Sequence, residues 1–211
     1  MKSTTLASLV IAGGIAANIL ALDNTVLDSW LTNHIYCPVR YAAEGFDSND
    51  IERVDVAVYI DKELDEEQKG NCSRACSGVW AEYLHEFGIS LQMREAEEIT
   101  LPEEAYPYYT EALSDDDDMT IVFTGKRCWA KDSESVGHSD PTMNIVYIYS
   151  KYYAEEAIEN VMIHEIGHLF YAGHSEERNC YMHATASPYL DDIQWCEDER
   201  STIRLFKHKI W

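Results

Sequence analysis

Residues 164–174 read His-Glu-Ile-Gly-His-Leu-Phe-Tyr-Ala-Gly-His, and this run limits what the chain can fold into more than any other stretch. On a helix, His164 and His168 stand one turn apart on the same face, so two imidazoles can grip one metal ion. Glu165 lies beside that face, placed to take a proton from a water on the metal without being a ligand itself. Gly173 is expected to stop the helix and turn the chain, which lets His174 swing back as a third nitrogen ligand. Three neutral nitrogens and one open position describe a catalytic zinc site, because a structural site fills all four places.

The residues before the motif carry a helix to it. At about 100° per residue, Ile158, Met162, Ile166, Leu169 and Phe170 form one apolar arc, while Val161, His164, His168 and Tyr171 fall on the other side. Two differently occupied faces argue against the plainer reading, in which the histidines are ordinary surface residues. Ser150 is the candidate N-cap, and Glu155 and Glu156 suit the positive end of the helix dipole.

The motif resembles that of the metzincin clan of zinc endopeptidases, His-Glu-x-x-His-x-x-Gly-x-x-His followed by a Met-containing turn, for which this chain offers Cys180-Tyr181-Met182-His183. The matching motifs run from about Ser150 to Cys196. The resemblance implies an α+β fold, with a mixed twisted sheet, an active-site helix and a small C-terminal subdomain below the cleft. Residues 51–211 would form that catalytic domain, 51–174 its upper part and 175–211 its lower part. The implied roles are His164, His168 and His174 as ligands of one zinc ion, Glu165 as general base, and Met182 as the apolar floor beneath the metal. The implied reaction is hydrolysis of a protein or peptide substrate. An edge strand within Gly125 to Ser139 would bind that substrate in extended form by backbone hydrogen bonds. A Cys180–Cys196 disulfide would tie down the Met-turn as in adamalysin-type members. One position departs from the pattern: Tyr171 stands where the family has Gly, so the exit from the helix is expected to be delayed to Gly173.

Other residues near the motif carry two readings each. Tyr171, Tyr181 and Tyr189 are candidate oxyanion donors or packing residues, and Tyr171 is expected on the helix face of His164 and His168. His138 is a second metal ligand or a solvated loop residue. Glu197 or Glu199 would replace His174 as third ligand in a different kind of zinc peptidase. A secreted binding module that kept fold and metal without catalysis is the rival to an enzyme, and the intact Glu165 argues against it.

Charge and the N-terminus narrow the setting. With 16 Lys+Arg against 38 Asp+Glu, a net charge of -22, binding to nucleic acid or an anionic bilayer is disfavoured. Lys2 followed by the apolar run Leu6 to Leu22 has the layout of a secretory signal peptide, with cleavage after Ala21. Gly13, Gly14 and Asn18 interrupt that run and disfavour a retained anchor. Export fits the six cysteines, Cys37, Cys72, Cys76, Cys128, Cys180 and Cys196, an even count that suggests three disulfides. No Cys-x-x-Cys pair supports a zinc cluster. Residues 22–50 read as an N-terminal segment, stapled by Cys37 or using it as an inhibitory thiolate in a precursor. Asn71-Cys72-Ser73 matches a glycosylation acceptor.

Upstream, Val54, Val56, Val58 and Ile60 alternate with Asp55, Ala57 and Tyr59 as a strand. Asp61 to Gly70 reads as an acidic connection. Cys76, Val79, Trp80, Tyr83, Leu84 and Phe87 then recur at helical spacing up to Gly88. Strands are expected over Ile89 to Arg94, Met119 to Thr124 and Asn144 to Tyr149, with a short edge strand over Ser133 to Ser139. Pro102 to Leu113 is an irregular connection. Asp115 to Asp118 is read as a solvated turn, because a calcium site there lacks the spacing of a helix-loop-helix. A last helix passes through Ile203, Leu205 and Phe206. At 211 residues, this is one domain, and its oligomeric state is left open.

Overall fold

In the computed structural model, which describes residues 51–101, 117–126, 135–151, 153–184 and 193–208, the sheet grows from β1 (Glu52–Asp61). Its alternation sends Val54, Val56, Val58 and Ile60 into the main core and Ala57 and Tyr59 into a smaller cluster with Leu101, Val122, Ile145 and Tyr147. A strand apolar on both faces belongs in the middle of a parallel sheet. β1 accordingly pairs in parallel with β2 (Ile89–Met93) and, further along, β3 (Glu97–Ile99) on one side, and with β4 (Met119–Thr124) on the other. β4 pairs in parallel with β6 (Ile145–Tyr149), and β5 (Gly137–Asp140) runs antiparallel along β6. The order among the described residues is β2-β1-β4-β6-β5, with β3 beside β1. This is the expected mixed sheet with helices, and the expected edge strand is its last member.

Helix α1 (Glu66–Phe87) joins β1 to β2 and starts earlier than the sequence suggests. Asp65 and Gln68 form a capping box, Asp65 Oδ1 accepting from the Gln68 amide at 2.8 Å and Gln68 Oε1 from the Asp65 amide at 2.9 Å. Two N-terminal donors are satisfied by that exchange, so most of the supposed connection Asp61 to Gly70 is helical. At the other end Gly88 takes φ 71° and closes the helix as expected. The sequon at Asn71 therefore lies inside a helix, with Asn71 accepting from Arg74.

Helix α2 (Glu155–Leu169) follows β6. Its N-cap is Ala154, not Ser150. Ser150 instead ends the strand, donating its amide to Thr124 at 3.1 Å and accepting from Tyr153 at 3.2 Å. α2 packs on α1, where Tyr83 donates its hydroxyl to the Ile163 carbonyl at 2.9 Å and Gly78 leaves room for the Glu159 carboxylate. The expected apolar arc, Ile158, Met162, Ile166, Leu169 and Phe170, is buried; on the other side Val161 and His164 are buried too, while His168 is half-buried.

Helix α3 (Glu197–Phe206) closes the described chain. This is the expected last helix; Ile203 is buried, while Leu205 is 74% exposed and Phe206 37%. Glu86 on α1 holds α3 through Arg200 at 2.7 Å and Arg204 at 2.9 Å. Cys180 and Cys196 form a disulfide with Cα atoms 5.6 Å apart. Cys72 and Cys76 are free thiols, both pushed upward by burial, Cys72 to about 11.

The acidic run is less solvated than expected where it is described. The Asp117 carboxylate is buried against Arg94 at 2.6 Å, and Asp118 accepts from the Asp55 amide at 2.9 Å. Asp115 and Asp116 lie outside the described residues, as do residues 1–50 with Cys37, the connection Pro102 to Leu113, Cys128 and Tyr189. No helix among the described residues is long and apolar enough to cross a membrane.

Candidate active site

Helix α2 delivers the first two histidines, and the turn after it delivers the third. His168 Nε2 lies 3.1 Å from His164 Nε2 and 3.2 Å from His174 Nε2. Zinc–nitrogen bonds of about 2.0–2.1 Å in a tetrahedron set neighbouring nitrogens roughly 3.3–3.4 Å apart, so the spacing fits one zinc ion closely.

The outer nitrogens strengthen that fit. His164 Nδ1 lies 2.7 Å from the Tyr181 carbonyl and His168 Nδ1 2.8 Å from the Ala172 carbonyl. A carbonyl oxygen only accepts, so both rings carry their proton on Nδ1 and present a lone pair at Nε2. Two lone pairs facing each other at 3.1 Å repel, unless a cation lies between them. Burial pulls His164 down to about 4 and lowers His168 as well, which keeps both rings neutral and ready to coordinate. His174 is exposed, so the group is open to solvent on its side.

Tyr171, rather than Gly173, makes the turn to His174. α2 ends at Leu169, Phe170 caps it, and Tyr171 takes φ 64°. The Tyr171 amide donates to His168 at 2.9 Å and the Ala172 amide to Gly167 at 3.1 Å. A left-handed residue at this position is what a helix exit requires, and here a tyrosine supplies what the family pattern assigns to glycine. The exit is thus not delayed, and Gly173 does not take a positive φ. Tyr171 consequently lies beyond the helix, 53% exposed, with its ring 5.0 Å from that of Phe206, and does not share the helix face of His164 and His168.

Glu165 is seated by the edge strand. A Cβ on Gly137 would lie 2.5 Å from Glu165 Oε1 and 2.8 Å from Val161 Cγ1, so only glycine lets β5 come this close. Burial pushes the Glu165 carboxyl up to about 7, with a hydrogen bond from the Ser139 hydroxyl acting the other way. A carboxyl poised near neutrality suits a group that must accept a proton and return it.

Met182 is fully buried, its Sδ 2.6 Å from where a Cβ on Gly167 of α2 would stand. Tyr181 turns its ring onto Trp195 at 5.2 Å, and burial with Glu82 and Glu159 nearby raises its phenol. Its carbonyl, not its hydroxyl, touches the histidine group. His138 sits on β5 opposite Tyr147 and is not among the converging donors. Glu197 pairs with Arg200 at 3.4 Å, and Glu199 lies beside the disulfide cysteines, so it is His174 that completes the histidine group. The carbonyls of Tyr181 and Ala172 and the seat made by Gly137 and Ser139 were not singled out from sequence. A lone glycine at the start of an edge strand was the available signal for the last of these.

No protein-family model and no curated protein matches the chain. Solved structures do. Archaemetzincin from Methanopyrus kandleri superposes with a TM-score of 0.54 at 15% identity, over 76% of this chain and 98% of that one. A zinc-dependent peptidase from Methanocorpusculum labreanum gives 0.52 at 13% identity, over 70% and 99%. The chain shares the fold of these two structures, a mixed sheet with helices similar to that of zincin-like peptidases. Within that fold the three histidines, Glu165 and Met182 all come from α2 and the segment that follows it.

Proposed function

We propose that this protein is a secreted zinc-dependent endopeptidase, with His164, His168 and His174 as ligands and Glu165 as general base. The observation that carries the reading is the pair of lone-pair nitrogens held face to face at 3.1 Å by carbonyls behind them, beside a carboxylate seated on the edge strand. Zinc bound there would supply Lewis-acid activation of water and of the scissile carbonyl. Glu165 takes the proton of the attacking water and passes it to the leaving amine, which its buried position against β5 keeps within the site. His164 and His168 hold their orientation through Tyr181 and Ala172. Met182, packed on Gly167 next to His168, is read as the apolar floor of the site.

The endopeptidase part rests on β5. Among the described residues its outer edge carries no strand, so an extended peptide can add to it and lie on both sides of the histidines. Export rests on the apolar run Leu6 to Leu22 behind Lys2. The endopeptidase part and the class are read together by digesting a peptide library with the purified protein, with and without a zinc chelator; export is read separately, by whether the expressed chain reaches the medium with its N-terminus at Leu22. Chelator-sensitive cuts at internal bonds are expected. Glu165→Ala should abolish cleavage and leave zinc bound; near-normal turnover in that variant would remove Glu165 from the mechanism.

A further inference from the structure

The reading of His174 as a ligand leaves one oddity unexplained. The turn that carries it pivots on Tyr171, a bulky residue at φ 64°, a conformation that disfavours every residue with a Cβ. A backbone held there needs something to hold it. The Tyr171 ring meets Phe206 at 5.0 Å, with the planes at 65°, near the edge-to-face geometry aromatic pairs prefer. Phe206 ends α3, which is itself fixed to α1 by Arg200 and Arg204 on Glu86 and rooted by buried Ile203. Both residues are part-exposed, Tyr171 at 53% and Phe206 at 37%, so their contact lies at the surface rather than within the core. The same turn sets two ligands at once: it carries His174, and the Ala172 carbonyl one residue past the pivot orients His168.

We propose that Phe206 and Tyr171 form an aromatic clamp by which the C-terminal helix holds the metal-ligand turn in its left-handed conformation. Phe206 is a positioning residue for His174 and His168, and α3 is part of the metal site although it supplies no ligand. The inference rests on the zinc reading for its consequence and on the backbone geometry for its cause, and the two can be separated.

Two readouts are taken on the full mature chain. One is the zinc dissociation constant, by competition with a chromophoric chelator. The other is hydrogen-exchange protection of the Ala172 amide, which donates to Gly167 at 3.1 Å, in metal-free protein. Phe206→Ala should weaken zinc binding and lower Ala172 protection, each on the order of fivefold, the worth of one aromatic contact. Phe206→Tyr should restore both. Tyr171→Gly adopts the left-handed turn without help, so Phe206→Ala added to it should change neither readout. The clamp is overturned if Phe206→Ala leaves Ala172 protection unchanged, or lowers it equally in the Tyr171→Gly background. A wild-type chain that takes up no zinc would sink the peptidase reading instead, with amide protection still deciding the clamp.

Discussion

Glu159 lies one turn before the histidine segment of α2, with its carboxylate over Gly78 of α1. Burial is the main reason it is pushed up to about 7, and Glu155, Glu82 and Glu156 add to the rise. Arg74 pairs with Glu155 rather than with Glu159, and burial and the neighbouring carboxylates all push Glu159 the same way. A carboxyl raised in the folded state gives stability that is complete below its ordinary value near 4.5 and is lost as pH climbs through about 7. Glu159→Gln should therefore stabilise the protein at pH 8 by about 1 kcal/mol, after discounting for partial solvent screening, and do little at pH 4. Urea midpoints at the two pH values test this, and an equal shift at both would show that packing rather than charge is responsible. None of this was legible in the sequence, where Glu159 is one more acid in an acidic helix. What burdens it is Gly78, which lies 81 positions away and meets it only through helix packing. Tyr171 was opaque for a related reason: the sequence placed the helix exit at Gly173, because a tyrosine in glycine's left-handed conformation is not signalled by any local pattern.

Strand β1 was readable from its alternation, and β4 and β6 because burial on both faces makes them short and apolar. The start of α1 was missed because its capping box hides in an acidic run that also contains Gly70, and both features look like a connection. β3 went unnoticed since Glu97–Ile99 is three residues long and exposes its two glutamates. It is a strand only because β1 outlasts β2. The Cys180–Cys196 pairing followed from a resemblance, not from spacing, and structurally it ties the segment under the histidines to the start of α3. It closes a loop with a sequence separation of 16, for which chain entropy gives about 3 kcal/mol. A Cys180→Ser, Cys196→Ser variant should lose stability of up to that size and should loosen Met182 and the Tyr181 carbonyl with it. Denaturation midpoints with and without the pair measure the first effect; a variant as stable as the parent would mean that packing of Trp195 on Phe87 and Tyr83 holds the segment alone.

The site draws on elements far apart in the chain. β5 seats the carboxylate, α2 carries two imidazoles, the turn at Tyr171 brings the third, and the Cys180–Cys196 segment supplies a carbonyl and the floor. The local motif at His164 to His174 announced the histidine group because helical spacing alone sets two of its members. The supporting shell stayed silent because its contacts depend on how sheet, helix and C-terminal segment close on one another. The most direct trial of the three-histidine site is zinc-edge X-ray absorption on the purified protein, compared with its His174→Ala variant. One zinc per chain, bound by three imidazole nitrogens in the parent and two in the variant, is the expected result. A parent that binds no zinc, or holds it with the same imidazole count after His174 is removed, would contradict the assignment.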